Sequence, residues 1–474
     1  MAPRRIALLG TGPLLDEGAT VFSGQCLRTW HFAAPLIEAG HDVRIATVPI
    51  PGALVEDGDT ASEAEYRGHR YRRYHRNDEG SVLPDLRAWV EAARPDVLLG
   101  VNQYPAYLLA RLGLDLPLWA DLNGWNMAEG QIRAASVGHD RDFGHFWRIE
   151  ARVLLAADRF SAVSARQADA LYGELAMLGR LNRFTAAEPF CHAIPNAAYP
   201  VFASIERREA IPGFLADRLP AGAKVCLWSG GFNSWTDGAL LADGLSRALE
   251  LEPASHFVAT GGPVLGHDEE TFQRIETLLR ARFPAERTHL LGWIAQERML
   301  ELHACAGVGL SLDGANIEAR FGARNRLTNM LAAGVPVVTT PGTEIADWIA
   351  ASGAGRVVPL GDAAALGAAL SEALADRAAS DRAAARAREL ALRDFAPART
   401  VAPLLRWLDD PRPAADRSQQ ARAELATSPP GRLADWIEGK CHEPLPFATP
   451  PPTVAPALGL SLTGRIKRML RRRP

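Results

Sequence analysis

The stretch from Glu318 to Thr340, EARFGARNRLTNMLAAGVPVVTT, places charged side chains ahead of an apolar helix. The pattern predicts a helix over about 324–333 and a buried strand over 335–338. Such a helix directs its first backbone N–H groups and the guanidinium groups of Arg324 and Arg326 at one point. Free N–H donors, the helix dipole and guanidinium forks suit a phosphate or diphosphate. Taken alone, the stretch favours a surface helix with solvated arginines. Whether it binds an anion instead depends on the other motifs of the chain.

Two glycine loops upstream suit the same kind of ligand. Residues 225–228 predict a buried strand, 229–231 (SGG) a tight loop, and a helix follows. The arrangement recurs at 256–262 (HFVATGG) with Gly261 and Gly262. Strand, glycine loop and helix form a geometry in which the backbone approaches a bound anion closely. A lone Gly-Gly is usually only a turn, but the repetition favours a binding function.

Polar loops also follow three predicted strands in the first half of the chain. Ligands of parallel α/β sheets lie beyond the carboxyl ends of the strands, so these loops are candidates for one wall of a site. Each is also compatible with an ordinary turn or helix cap. The first loop has Ser23, Gly24 and Gln25, with Arg28 just inside the helix that follows. The second has Asn102 and Gln103, and the third has Asp121 and Asn123 and is followed by Glu129 and Gln131.

Length and composition limit the class of protein. A chain of 474 residues predicts two domains, and 47% hydrophobic with 23% charged residues is typical of a globular protein. A net charge of −3 gives no case for nucleic acid as a partner. Five scattered cysteines favour neither a disulfide framework nor a zinc site, and we expect no metal and no cofactor. The N-terminus predicts a first strand, no apolar run is long enough to span a bilayer, and a cytoplasmic location is expected.

Strands alternate with helices along most of the chain, which predicts parallel sheets covered on both faces. The fold class is therefore α/β, with two Rossmann-like doubly wound domains. We expect an N-terminal domain over residues 1–200, a C-terminal domain over 201–410 and a Pro-rich tail over 411–474.

The tail has three predicted parts. Residues 411–431 and 443–459 are rich in proline and polar residues and predict an extended tether. Between them, 432–441 (RLADWIEGKC) predicts a short helix docked on the first domain. The last residues, LSLTGRIKRMLRRRP, form a basic amphipathic segment suited to an anionic membrane surface, at ~1 kcal/mol per basic residue. A basic tail that contacts nothing explains them equally well.

Several motifs occur in a characteristic order: GHDV after the first helix, AIPNAA at the domain exit, the SGG loop, LLGWI and LAAGVPVVTT. In these motifs the chain resembles the family 4-type retaining glycosyltransferases, over roughly residues 5–410. The resemblance implies the GT-B architecture, in which two Rossmann-like domains face each other across a cleft. It further implies a nucleoside-diphosphate sugar as donor, a glycan, lipid-linked or small-molecule acceptor, and retention of the anomeric configuration.

The resemblance also assigns roles to residues. Gly230 and Gly231 would approach the diphosphate, Glu318 would bind sugar hydroxyls, and Asp121 and Asn123 would flank the reacting carbon. The residues expected to act in catalysis are Asp121, Asn123, Arg324 and Arg326. Those expected on the donor are Gly230, Gly231, Asn233, Gly261, Gly262, Glu318, Arg320, Gly322 and Asn329. Those expected on the acceptor side are Gly24, Gln25, Arg28 and Glu129.

Three positions depart from the family pattern. Asn329 stands where the family usually has a second glutamate, which normally binds the ribose. The loop SGGFNSWTDG contains no basic residue, so Arg320, Arg324 and Arg326 are expected to substitute for the missing pair. The Asp121 loop lacks a histidine, so no general base is assigned. A front-face mechanism, in which the leaving phosphate accepts the acceptor's proton, needs none.

Two other functions stay open at this level. A nucleotide-sugar epimerase can share the architecture, but would need cleft carboxylates and histidines that the Asp121 loop does not clearly supply. A non-catalytic glycan-binding or scaffold protein would explain Asn329 and the missing basic pair. A peripheral position at the inner face of the membrane is a further expectation, drawn from the basic C-terminus.

Overall fold

The computed structural model describes residues 2–14, 23–50, 59–141, 143–263 and 269–442. The predicted tether from residue 443 and the basic C-terminal segment lie outside the described residues. Within them the chain forms two α/β domains, each built on a mainly parallel sheet.

The first sheet has eight strands in the order β3-β4-β2-β1-β5-β6-β7-β8. Its pairs are parallel except for the β3–β4 hairpin. The strands are β1 (Arg5–Thr11), β2 (Asp42–Val48), β3 (Ala61–Tyr66), β4 (His69–Tyr74), β5 (Val97–Val101), β6 (Leu118–Leu122), β7 (Arg159–Ala162) and β8 (Cys191–Ala193). The helices are α1 (Gly24–Glu38), α2 (Glu79–Ala93), α3 (Gln103–Arg111), α4 (Asn126–Val137), α5 (Phe143–Ala156), α6 (Ala165–Met177) and α7 (Pro200–Ala203).

The second sheet has six parallel strands in the order β11-β10-β9-β12-β13-β14. The strands are β9 (Lys224–Trp228), β10 (Ser255–Ala259), β11 (Thr288–Leu290), β12 (Ala306–Ser311), β13 (Val337–Thr339) and β14 (Gly355–Val357). The helices are α8 (Gly238–Leu251), α9 (Glu270–Arg282), α10 (Gln296–Cys305), α11 (Ile317–Phe321), α12 (Asn325–Ala332), α13 (Glu344–Ser352), α14 (Ala363–Ala375) and α15 (Arg377–Asp394).

Both sheets are buried on two faces, as their continuous apolar strands require. Strands β1, β5 and β6 are almost entirely buried, and so are β9, β10 and β12. One apolar cluster contains residues of both domains, which joins their cores at the segment between them. The carboxyl ends of the central strands of the two sheets lead into the loops that carry most predicted site residues.

After α15 the chain returns to the first domain. This part contains α16 (Pro397–Thr400), α17 (Ala402–Trp407), α18 (Gln419–Leu425) and α19 (Pro429–His442). Thr400 accepts a hydrogen bond from the ring of His31 on α1 at 2.6 Å, so residues before the predicted limit at 410 already contact the first domain.

The predicted tether at 411–431 is corrected by the structure. Asp416 forms a buried ion pair with Arg180, and the Ala414 N–H donates to Asp158 at 2.7 Å. These contacts hold a polar, proline-containing segment in place although its composition is typical of a linker. The predicted docking helix at 432–441 lies within α19, which packs on α5 through Ile437 and Ala151.

Candidate functional site

A cavity of about 280 Å³ lies between the two domains at the strand ends. It is lined by residues from both halves of the chain that were predicted separately as site residues. Those that line it are Gly24, Gln25, Asn123 and Glu129 from the first domain, and Gly230, Gly231, Asn233, Gly262, Glu318, Arg324, Arg326 and Asn329 from the second. A larger groove of about 880 Å³ lies beside α18 and α19, but its lining contains none of the predicted site residues.

The second-domain wall is built where two glycine loops meet. Gly230 (φ 95°) and Gly261 (φ 81°) have left-handed backbone conformations that favour glycine. A Cβ atom on Gly261 would lie 2.4 Å from the carbonyl carbon of Gly230, so the loops touch backbone to backbone. The Gly230 N–H donates to Thr260 Oγ1 at 2.9 Å, which fixes the loop. Gly261 therefore supports the site from behind, while Gly262 lines it.

Arg324 is held by two buried carboxylates. Its Nε donates to Asp313 Oδ2 at 2.9 Å, and its Nη1 and Nη2 donate to the two oxygens of Glu318 at 3.0 and 2.6 Å. Burial opposes the charge on Arg324, but the two carboxylates outweigh it and raise the pKa of Arg324. Burial likewise raises the pKa of Glu318, and Arg324 offsets part of that rise. The positive charge of Arg324 is thus already neutralised inside the protein.

Arg326 has the opposite environment. Its guanidinium carbon lies 4.2 Å from the ring centroid of Trp228, and Nη2 donates to the Gly231 carbonyl at 2.5 Å. Its Nη1 is buried without a partner, and among the described residues no carboxylate forms an ion pair with it. Burial lowers the pKa of Arg326 to about 9; the negative charge of Asp313 offsets part of the fall, and repulsion from Arg324 adds to it. An unpaired cation at a cavity wall is a strong anion-binding feature.

The start of α12 lies at the same wall. Arg324 occupies the N-cap position, but its side chain makes no capping hydrogen bond. The first N–H groups of the helix and its positive dipole end are therefore not occupied by a capping side chain. Arg324, Asn325 and Arg326 at this helix start all line the cavity, but the charge of Arg324 is neutralised by Asp313 and Glu318, whereas that of Arg326 is not.

Asn329 lines the cavity one helical turn further along α12. Its side-chain oxygen accepts the Tyr199 N–H at 3.2 Å, and Tyr199 belongs to the segment that joins the domains. Among the described residues its amide nitrogen has no hydrogen-bond partner. Asn329 therefore presents an N–H donor where the family pattern has a carboxylate.

Asp121 does not reach the cavity, which corrects its predicted catalytic position. Its side chain is fully buried on β6 and accepts from Arg28 Nη2 at 2.7 Å, Arg28 Nε at 3.0 Å and Ser161 Oγ at 2.6 Å. Arg28, predicted on the acceptor side, is equally buried and also donates to the carbonyl of Ile194. The pair ties α1 and β6 to the start of the interdomain segment. Asn123, which follows the last residue of β6, is the residue of this segment that lines the cavity.

Two further predicted residues lie off the cavity. Arg320 is exposed on α11, so it does not replace the missing basic pair. Gly322 is buried against the Arg324–Glu318 pair: a Cβ there would lie 2.0 Å from Glu318 Oε1. Gly322 thus leaves room for the ion pair and does not line the cavity.

The first-domain wall includes residues that the sequence did not predict. Trp125 lines the cavity and contacts Phe321 of α11 edge to face, with ring centroids 4.9 Å apart. Asn123 Nδ2 donates to Asn102 Oδ1 at 2.9 Å, and Asn102 has a positive φ of 77°, a conformation rare outside glycine. The sequence feature that could have predicted Trp125 as a site residue is its position, as an aromatic residue directly after a strand-end loop. In the second domain, Asp313 gave a similar signal, as an acid two residues after the end of β12.

Two buried, parallel-sheeted α/β domains with a cavity between their strand ends define the GT-B class of glycosyltransferase architecture. A model described as a glycosyl transferase 4-like domain matches residues 23–177, and one described as glycosyl transferases group 1 matches residues 223–376. Together they span about two thirds of the chain, one on each domain. The chain belongs to this family of glycosyltransferases. No curated protein matches it significantly.

Solved structures share the whole two-domain fold. Sucrose-phosphate synthase from Thermosynechococcus elongatus is 18% identical, with a TM-score of 0.65 over 85% of this chain and 98% of its own. Anabaena Alr3699/HepE in complex with UDP and glucose is 14% identical, with a TM-score of 0.60 over 86% and 99%. An alpha,alpha-trehalose-phosphate synthase (UDP-forming) from Burkholderia xenovorans in complex with glucose-6-phosphate is also 14% identical, with a TM-score of 0.59 over 85% and 99%. At these identities the likeness shows the fold.

No group of three or more His, Cys, Asp or Glu side chains in the described ranges is arranged to hold a metal ion. None of the helices described combines the length and the apolar character needed to cross a bilayer.

Proposed function

We propose that this glycosyltransferase uses a nucleoside-diphosphate sugar, whose diphosphate binds at Arg326, the Gly230–Gly231 loop and the start of α12. The observation that carries the proposal is the unpaired guanidinium of Arg326 beside the cavity. A diphosphate supplies the negative charge that Arg326 lacks, and the glycine loop lets the backbone come close to it. A neighbour of the same fold holds UDP, which makes uridine the first nucleoside to test.

The chemistry proposed is transfer with retention of configuration. The bond from the anomeric carbon to the β-phosphate oxygen breaks, and a bond to an acceptor hydroxyl oxygen forms on the same face of the sugar. The acceptor's proton passes to the leaving phosphate. In this scheme Arg326 stabilises the charge that develops on the diphosphate, a contribution on the order of 3 kcal/mol for one such donor.

The acceptor would lie against the first-domain wall. Gly24, Gln25, Asn123, Trp125 and Glu129 line the cavity opposite the donor loop. Hydrogen-bonding amides, a carboxylate and an aromatic ring are suited to the hydroxyls and ring faces of a glycan. A lipid-linked glycan or a small molecule with a hydroxyl group meets the same requirement.

Nucleotide binding is the first test. The thermal stability of the wild-type protein is measured with UDP, GDP, TDP and CMP, and Arg326→Gln is compared with Arg320→Gln, whose arginine is exposed outside the cavity. We expect one nucleotide to raise the Tm, and its Kd to rise about 10- to 100-fold in Arg326→Gln, because a charge-assisted hydrogen bond contributes about 1.5–3 kcal/mol. Arg320→Gln should bind normally.

The outcomes separate the alternatives. A product that contains both donor sugar and acceptor, detected by mass spectrometry, supports transfer. A changed nucleotide sugar formed without acceptor, with hydrolysis excluded, supports an epimerase. A folded protein that responds to no nucleotide supports a glycan-binding scaffold and contradicts the proposal.

We further propose that the basic segment at the C-terminus attaches the enzyme to an anionic membrane surface. Its sequence supports this through Arg465, Lys467, Arg468 and three consecutive arginines at 471–473. Co-sedimentation with phosphatidylserine-containing vesicles, compared with neutral vesicles and with a chain ending at residue 458, tests it. Equal sedimentation of the two chains contradicts the attachment.

A further inference from the structure

Two glutamates, Glu150 buried and Glu174 half-buried, face each other behind the first-domain wall. Glu150 on α5 and Glu174 on α6 lie close enough for their carboxyl groups to interact, and Glu150 is only 3% exposed. Both oxygens of Glu150 and one of Glu174 are buried without a donor from another residue. Among the described residues neither glutamate forms an ion pair with a lysine or an arginine. Buried carboxylates without partners are costly, so the arrangement calls for an explanation.

A shared proton supplies that explanation. Two carboxyl groups in contact and away from water cannot both be ionised, and one of them then donates to the other. Burial, with repulsion from Glu174, raises the pKa of Glu150 well above its usual value. Burial also raises the pKa of Glu174 to about 7, and hydrogen bonds from Trp125 and Glu150 limit the rise. The pair therefore changes between one negative charge and none close to neutral pH.

Trp125 connects the pair to the cavity. Its indole N–H donates to Glu174 Oε1 at 3.0 Å, while the same residue lines the cavity and contacts Phe321 of the second domain. A hydrogen bond to an ionised carboxylate is roughly twice as strong as one to a neutral group. The charge of the pair therefore affects the hydrogen bond of Trp125, a side chain that both lines the cavity and contacts the second domain.

The surrounding charged groups are engaged elsewhere. Arg148 and Arg152 on α5 pair with Glu79 and Glu438, Arg166 on α6 pairs with Asp347, and Arg180 pairs with Asp416. Asp169 on α6 is exposed, His145 on α5 packs on Phe146, and Glu129 and Arg133 lie on α4. Cys191 on β8 is sensitive to Glu174, but burial is the larger cause that raises its pKa to about 12. The thiol of Cys191 therefore stays neutral over the range in which Glu174 titrates.

We propose that Glu150 and Glu174 form a proton-sharing pair that positions Trp125, so that the charge of the pair sets how firmly Trp125 is held at the cavity and against Phe321. Both glutamates are positioning residues that act through the indole. The consequence for acceptor binding rests on the proposed transferase function, whereas the titration of Trp125 does not.

The titration is measured by fluorescence between pH 5 and 9. The signal of Trp125 is obtained as the difference between the wild-type protein and Trp125→Phe, and the same subtraction is made in each variant background. We expect one transition with a midpoint near pH 7 in the wild type, its loss in Glu174→Gln, and its retention in Asp169→Asn, the matched change on the same helix. A signal that does not change with pH, or a transition that survives Glu174→Gln, overturns the proposal.

A second variant tests the sharing of the proton. In Glu150→Leu, the protonated partner no longer donates to ionised Glu174, so the midpoint should move to higher pH. An unchanged midpoint would show that Glu150 and Glu174 do not share a proton, and would overturn the proposal. This measurement also serves if Glu174→Gln fails to fold.

Enzymatic turnover adds a separate result. We expect the KM for the acceptor to follow the same transition in the wild type and to lose it in Glu174→Gln, with donor affinity unchanged. If no nucleotide sugar is turned over while the Trp125 transition is present, the proposed transferase function is wrong, but the proton-sharing pair of Glu150 and Glu174 is still supported. If transfer occurs and the KM for the acceptor is independent of this transition, the positioning role fails.

Discussion

Arg324 and Arg326 stand two residues apart at the start of α12 and have opposite electrostatic environments. The guanidinium of Arg324 is enclosed by Asp313 and Glu318, whereas that of Arg326 lies on Trp228 without a carboxylate partner. The first arrangement stabilises the loop that ends in α12. The second leaves a positive charge for a ligand to neutralise.

Replacement of these two arginines should therefore affect different properties. Arg324→Gln leaves Asp313 and Glu318 buried without their cation, which we expect to cost about 3–5 kcal/mol in the free energy of unfolding. Arg326→Gln removes a buried unpaired cation and should leave the stability unchanged or higher. Urea denaturation of both variants without nucleotide measures the difference. Equal destabilisation would contradict the contrast between the two sites.

The fold and the location of the site could be predicted from the sequence, but the partners of individual charges could not. Alternating strands and helices predicted two doubly wound domains, and glycine loops predicted the second-domain wall of the cavity, because both depend on local patterns. Asp313, near the end of β12, forms an ion pair with Arg324, and no local sequence pattern indicates this pairing. For the same reason Asp121 was predicted in the cavity, although Arg28 holds it inside the first domain.

The segment at 411–431 shows a second limit of local patterns. Its composition predicts a linker, yet Asp416 meets Arg180 across 236 positions of sequence. Long-range buried contacts of this kind hold a polar segment in place, and composition does not record them. The docked helix at 432–441 was predictable because its apolar residues have helical spacing.

The two walls of the cavity approach each other at Gly24 and Asn325. A Cβ atom on Gly24 would lie 2.3 Å from Asn325 Nδ2, so Gly24→Ala should displace the Asn325 side chain. We expect weaker nucleotide binding in Gly24→Ala and recovery in the double variant Gly24→Ala/Asn325→Ala, with a coupling energy on the order of 1 kcal/mol. Calorimetric titration of the four proteins measures it. Strictly additive effects would show that the contact does not constrain the site.

The histidine pair on β10 and β11 should make the second domain sensitive to acid. His256 Nδ1 lies 3.1 Å from His289 Nε2, and Arg287 Nη1 lies 2.7 Å from His256 Nε2. Burial, followed by repulsion from Arg287 and His289, lowers the pKa of His256 to about 4. Because the folded protein holds His256 neutral, the associated stability is present above about pH 6.5 and is lost as the pH falls towards 4.

Thermal unfolding at pH 7 and pH 5 tests this dependence. We expect the Tm of the wild-type protein to fall more between the two pH values than that of His256→Gln. His139→Gln, which changes a histidine in the turn after α4, is the control and should behave as the wild type. The same fall in all three proteins would exclude His256 as its cause.

Glu150 should make the first domain less stable as the pH rises, whereas His256 makes the second domain less stable as the pH falls. Its folded pKa is raised well above the usual 4.5, so the stability linked to its protonated form is complete below pH 4.5 and decreases as the pH rises towards the folded pKa. The decrease is about 1.4 kcal/mol per pH unit, because the unfolded chain releases a proton that the folded chain keeps. Glu150→Gln keeps the shape of the side chain without an ionisable proton, so it should be more stable than the wild type at pH 7, with little difference at pH 4.5. Urea denaturation at both pH values, with Asp169→Asn as the exposed control, measures this, and an equal effect of Glu150→Gln at the two pH values would contradict a buried neutral acid.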